Sequence, residues 1–360
     1  MNYIDNEQCG MPVARRVTMC RKGEITLLTI SNKRGAFVEL STLGAGITRI
    51  VVPDRYGRLT DVVLGYEDEA DYLYDPPCAG KTPGRFANRI SGARFQLDGV
   101  WYTLTRNDGS NALHGGPEGF HNRIWDYEVL DNGVRFSCLS PDGEEGYPGN
   151  LRVSVTYIWS DDNTLDISYD AAADAPTVVN LTNHAYFNLD GEGSGDILSH
   201  SLVINGSRRV QADGHDIPTG RILPVKGTPF DFTEAKRLGD DLDAEFENLR
   251  AGKGYNHYFF IDGEDLGDGA RHAATLTGTA KGICLDVYTT LPGLMLYTGN
   301  WLAQAPRGRN GAAYRDHDGV AIECQFPPDA PNRNNFPSTV LRLGESYHHV
   351  ISYRFTHSAS

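Results

Sequence analysis

The feature that most constrains this chain is the near absence of helical periodicity. Short runs of alternating apolar and polar residues recur from end to end, separated by turn signals. A chain patterned this way folds as antiparallel sheet, and so many strands hide their edges only by stacking as a sandwich or closing as a barrel. The expectation is an all-β fold, a large antiparallel β-sandwich. In LRVSVTYIW, Leu151, Val153, Val155, Tyr157 and Trp159 share one strand face, and the turn Asp161, Asp162, Asn163 leads into TLDISY, which reads as a hairpin. A second hairpin is expected in ARFQLDGVWYTL, where Asp98-Gly99 suits a two-residue type I′ turn because glycine accepts positive φ without strain. The acidic stretch FTEAKRLGDDLDAEFENL, residues 232–249, reads as a solvated loop. No linker, internal repeat or low-complexity tract marks a seam, so residues 1–360 are expected to form one domain.

Hydrophobic residues make up 40% of the chain, enough for a substantial core, and the formal charge is −14 with no basic cluster to offset it. That balance disfavours nucleic acid and acidic membrane surfaces as partners and suits a neutral small molecule. The six cysteines, Cys9, Cys20, Cys78, Cys138, Cys284 and Cys324, contain no CxxC pair and no zinc-ribbon spacing, which disfavours structural zinc. The opening MNYIDNEQCG has no basic segment followed by an apolar one, and no window approaches the ~18 apolar residues of a membrane span. A cytoplasmic location with reduced thiols is the expectation.

Two strands carry unusual polar groups. If Val178–Leu189 of VVNLTNHAYFNLDG is extended, Val179, Leu181, Asn183, Ala185, Phe187 and Leu189 fall on one face, and Asn180, Thr182, His184, Tyr186 and Asn188 on the other. That charge-free second row suits the wall of a pocket for a hydroxyl-rich neutral ligand. In GVAIECQF, Glu323 lies with Ala321 and Gln325 opposite Val320, Ile322, Cys324 and Phe326. Burial there would raise its pKa, as a general base working near neutral pH requires.

The run NLTNHAYFNL, Asn180 to Leu189, resembles the signature of the aldose 1-epimerase family, the mutarotases. GRFANRI, LHGG, SPDGEEGYPG, VYTTLPG and YTGN resemble further segments of that family in the same order, spanning most of the chain. The resemblance implies a galactose mutarotase-like β-sandwich that interconverts the anomers of a free aldohexose, with a monosaccharide partner and no metal or organic cofactor. By position it implies His184 as catalytic acid, Glu323 as catalytic base, and Asn88, Arg89 and His114 as sugar-binding residues. Asn256 stands where the family usually has Asp, and Leu291 where many members have Gln, so a change in sugar contacts is expected at both. Reference pKa values of ~4.3 for Glu and ~6.5 for His would let carboxylate and imidazolium coexist near neutral pH. Two alternatives stay open: a hexose-phosphate epimerase drawing on Arg85, Arg89, Arg106 or Arg123, and a non-catalytic sugar-binding protein. Monomer and homodimer are equally compatible with the sequence.

Overall fold

Alternation yields strands where it predicts them. The computed structural model describes residues 16–22, 24–247 and 249–357. Leu151–Trp159 and Thr164–Ala173 pair antiparallel, with Leu151 opposite Ala173 and Trp159 opposite Leu165. Asp98 and Gly99, at φ 49° and 82°, join Arg94–Leu97 to Val100–Thr103. Among the described residues, helix is confined to short 3₁₀ turns.

Two large antiparallel sheets stack. The nine-stranded sheet has Leu151–Trp159, Thr164–Ala173, Tyr347–His357 and Ile283–Thr289 adjacent at its centre. The six-stranded sheet runs in the order Tyr186–Phe187, Val320–Gln325, Gly293–Tyr297, Asn256–Phe260, Arg208–Ala212, Pro218–Pro224. Val155, Tyr157, Trp159, Tyr353 and Phe355 of the first sheet share one core with Val320, Ile322 and Cys324 of the second. Phe187 meets Tyr353 edge-on, with ring centroids 5.1 Å apart. A five-stranded sheet covers Arg16–Asp61.

Because side chains alternate, a strand that gives Val320, Ile322 and Cys324 to the core must send Ala321, Glu323 and Gln325 to the other face. Register places Met295 opposite Glu323, Tyr297 opposite Ala321, and Asn256 opposite Tyr297. On this second face Met295, Tyr258 and Phe260 join Phe86, Ile90 and Phe95 in a smaller apolar cluster.

Two sequence expectations need correction. The stretch from Val178 to Leu189 is not one strand: only Thr177–Val178 and Tyr186–Phe187 pair in sheets, and both of its side-chain rows are buried. Its asparagines replace ladder bonds instead of lining a wet face. Asn180 Nδ2 donates to the carbonyl of Ala87 at 3.1 Å, and its Oδ1 accepts from the amide of Phe326 at 2.9 Å. Asn188 Nδ2 donates to the carbonyls of Gly195 and Asp318 at 2.8 and 3.0 Å. The 232–249 segment is only in part a solvated loop, its acidic residues being mostly exposed. Lys236–Arg237 pairs at the sheet edge, and Phe232, Leu238 and Leu249 are buried, because these apolar residues outweigh the acidic ones around them.

Arg85 is 2% exposed and donates to the carbonyls of Ser140, Pro141, Pro148 and Gly149, fastening GRFANRI to SPDGEEGYPG. Residues 1–15, which include MNYIDNEQCG, lie outside the described residues. Among those described, no helix is long and apolar enough to cross a membrane.

Asn180→Ala is expected to destabilise the fold by roughly 1–3 kcal/mol for each buried backbone group it orphans. Urea denaturation checks this, and an unchanged midpoint would rule out the strut role.

Candidate active site

His184 is placed by its backbone. Its amide donates to the carbonyl of Lys81, and its carbonyl accepts from the amide of Gly80, both at 2.9 Å. Asn183 Nδ2 donates to the carbonyl of Gly80 at 2.7 Å, and its Oδ1 accepts from the amide of Ala185 at 3.0 Å. Gly80 sits at φ +72°, and a Cβ there would lie 1.8 Å from the carbonyl oxygen of Ile47. Only glycine fits this position, and the register of His184 hangs on it.

Thus held, His184 projects toward Glu323, with Nε2 3.6 Å from Oε1. The two residues are 5% and 2% exposed. Glu323 Oε2 and His184 Nδ1 are buried and have no hydrogen-bond partner among the described residues. Burial disfavours both charged forms. It pushes the Glu323 carboxyl up to about 8, against the opposing pull of Arg89, and the His184 imidazole down to about 4. The coexistence of carboxylate and imidazolium expected from reference values is therefore reversed in the unliganded protein. Desolvation leaves the shared proton on Glu323 between those limits.

The pair opens into a cavity of about 260 Å³ whose walls include Asn88, Arg89, His114 and Asn256, so all six residues singled out from sequence meet there. Arg89–Ile90 pairs with Ala112–Leu113, which brings GRFANRI and LHGG together. Asn88 and His114 flank that bridge in the left-handed region, at φ 68° and 53°. The amide of Asn88 donates to His114 Nδ1 at 3.1 Å. His114 is neutral, its pKa held well below 6.5 chiefly by burial and then by His184, so its proton resides on Nε2 and makes that atom a donor. Arg89 Nε donates to Asp108 at 2.8 Å.

Residues 26–354 match the family described as "Aldose 1-epimerase". The chain belongs to the aldose 1-epimerase family. It is 43% identical to galactose mutarotases of Bos taurus and Homo sapiens, each alignment covering 89% of this chain and 91% of the relative. Identity to the aldose 1-epimerase of Escherichia coli (strain K12) is 39%, over 91% of this chain and 94% of that one. A GalM/aldose epimerase homologue from C. elegans superposes with a TM-score of 0.85 at 34% identity, covering 92% of this chain and 98% of the other.

Beyond the six, the cavity of this family member is lined by Tyr186, Asp216, Tyr297 and Trp301. Tyr186 and Tyr297 lie in motifs already noted, and alternation puts them on the faces of His184 and Glu323. Asp216 carried no sequence signal, since GHDIPTG reads only as a turn. Leu291 does not line the cavity; it is fully buried in the main core, so the expected change in sugar contact there does not arise. Its backbone serves the turn: its amide donates to Thr289 Oγ1 and its carbonyl accepts from Arg271.

In an NMR titration of ring-labelled histidines, His184 is expected to titrate near pH 4 and His114 to show the Nε2–H tautomer throughout the neutral range. A His184 midpoint at 6.5 would mean that water solvates the pair.

Proposed function

We propose that this chain is an isomerase that interconverts the α and β anomers of a free aldohexose, galactose and glucose among them, with His184 and Glu323 as the proton-transferring pair. The observation that carries the assignment of the pair is the 3.6 Å approach of Nε2 to Oε1 inside a cavity also walled by hydrogen-bonding side chains. Family membership supports the reaction.

Mutarotation breaks the bond from C1 to the ring oxygen and remakes it on the other face of the carbonyl. With sugar bound the pair's single proton first passes from Glu323 to His184; Glu323 as carboxylate then takes the proton from the O1 hydroxyl while His184 as imidazolium gives one to the ring oxygen, leaving an open-chain aldehyde. The pair then stands as protonated Glu323 and neutral His184, the state that burial favours. Rotation about C1–C2 turns the carbonyl, and closure returns a proton to O1 from Glu323 as His184 receives one from the attacking hydroxyl. The pair holds one proton throughout, so neither half-reaction draws on solvent. Arg89 and the Nε2–H of His114 donate to sugar oxygens and fix the ring.

A free sugar is favoured over a sugar phosphate because, of Arg85, Arg89, Arg106 and Arg123, Arg89 alone lines the cavity. Arg85 is enclosed by backbone carbonyls and Arg123 pairs with Glu144, leaving Arg89 as the arginine in the cavity wall among the described residues. One guanidinium, already bonded to Asp108, is a poor phosphate site.

Glu323→Gln is expected to lower kcat for mutarotation of freshly dissolved α-galactose by about 10³-fold or more while the protein stays folded. Polarimetry giving near wild-type rates would overturn the assignment. In the intact protein, kcat/KM is expected to be highest where the pair holds one proton. It falls below about pH 4, where His184 gains a second proton, and above about pH 8, where Glu323 loses the only one. A profile flat through pH 8 would contradict the buried pair.

A further inference from the structure

Asp216 is the carboxylate in the cavity wall that the proton-transfer scheme leaves unused. It sits at φ 59° in the turn joining Arg208–Ala212 to Pro218–Pro224. The turn is built before any ligand arrives: Asp213 Oδ1 accepts from the amides of His215 and Ile217, and the amide of Asp216 donates to the carbonyl of Asp213. That geometry delivers the Asp216 side chain, 27% exposed, to the cavity rather than to bulk solvent. There Asn256 Nδ2 donates to Asp216 Oδ2 at 2.7 Å, and Arg89 Nη2 lies 3.9 Å from the same oxygen.

We propose that Asp216 is a substrate-binding and specificity-determining residue, its carboxylate accepting hydrogen bonds from sugar hydroxyls away from the reacting carbon while Asn256 and Arg89 hold it in place. The inference rests on the sugar reading above. Its chemical basis is the division of labour between two side chains. An amide at 256 is half donor, so alone it offers a sugar hydroxyl one neutral acceptor. Spending its NH₂ on Asp216 orients a full carboxylate, acceptor-only and charge-assisted, and leaves Oδ1 of Asn256 as a second acceptor beside it. Two adjacent acceptors match the vicinal hydroxyls of a hexose. Hydroxyl donors, not anions, are the ligands such a wall admits, since a phosphate would meet the Asp216 charge.

The test uses the full chain and polarimetric mutarotation of α-galactose, α-glucose and their 3-, 4- and 6-deoxy analogues, together with equilibrium sugar binding followed by tryptophan fluorescence. Asp216→Asn is expected to raise KM by about tenfold or more while kcat changes by less than about threefold. One deoxy analogue that binds poorly to the wild type should lose nothing further in the variant. Asn256→Asp alone sets two carboxylates in contact and should also raise KM. The exchange Asp216→Asn with Asn256→Asp restores one carboxylate and one amide, and should bring KM back to within about threefold of wild type. Wild-type KM and an unchanged analogue pattern in Asp216→Asn overturn the proposal, as does an exchange variant no better than Asp216→Asn. If Asp216→Asn lowers Tm sharply and the exchange does not restore it, the residue is structural and the proposal falls. A wild-type chain that binds sugar without turnover defeats the epimerase reading instead, and Asp216 is then judged on Kd by the same substitutions. Absence of both binding and turnover defeats the two together.

Discussion

Residues 180–185 run through the interior with almost no sheet pairing, and the active geometry depends on how their backbone is satisfied. Buried amides and carbonyls without partners are costly, so a segment this enclosed must borrow hydrogen bonds from outside a ladder. It borrows them from side-chain amides and from the loops that carry other site residues. Asn180 ties the segment to Ala87, next to Asn88, and to Phe326, just beyond the Glu323 strand. Asn183 and the His184 backbone tie it to Gly80 and Lys81. The struts that replace the ladder thus hold His184, the Glu323 strand and the loop of Asn88 in one frame.

Holding them there also removes them from water, and desolvation sets the chemistry. An exposed His and Glu at these positions would both be ionised over part of the neutral range, each exchanging protons with solvent. Buried side by side, they favour the neutral forms and share one proton, which is the stock an anomerisation needs. The same enclosure makes the remaining polar groups selective. His114 is fixed as an Nε2 donor by the Asn88 amide, so it presents one defined donor to the cavity. The wall is thereby written in donors and acceptors rather than in net charge, consistent with a neutral substrate.

Much of this was legible beforehand. Period-two alternation in LRVSVTYIW and GVAIECQF specifies which residues face the core, and strand geometry alone separates Glu323 from Val320, Ile322 and Cys324. The same rule failed for NLTNHAYFNL. Alternation assumes an extended strand with one dry and one wet face, and this segment is irregular and dry on both. Its polar row therefore divides into two roles that spacing cannot distinguish: asparagines that brace backbone, and His184 with Tyr186 that reach the cavity. Leu291 failed for a related reason, and Asp216 gave no signal at all. Position in a motif implied that Leu291 touches sugar, yet position does not say where a side chain points.

The sequence by itself determined the all-β architecture, the strand faces and the identities of the groups able to move a proton, because these follow from local periodicity and from side-chain chemistry. Tertiary structure decided the rest: that Glu323 and His184 lie 3.6 Å apart and buried, that Arg85 is enclosed while Arg89 reaches the cavity, and that a carboxylate from a distant turn stands against Asn256. The physical reason is that proximity and desolvation are properties of packing between segments far apart in the chain. No local pattern encodes the distance or the dielectric that such packing creates.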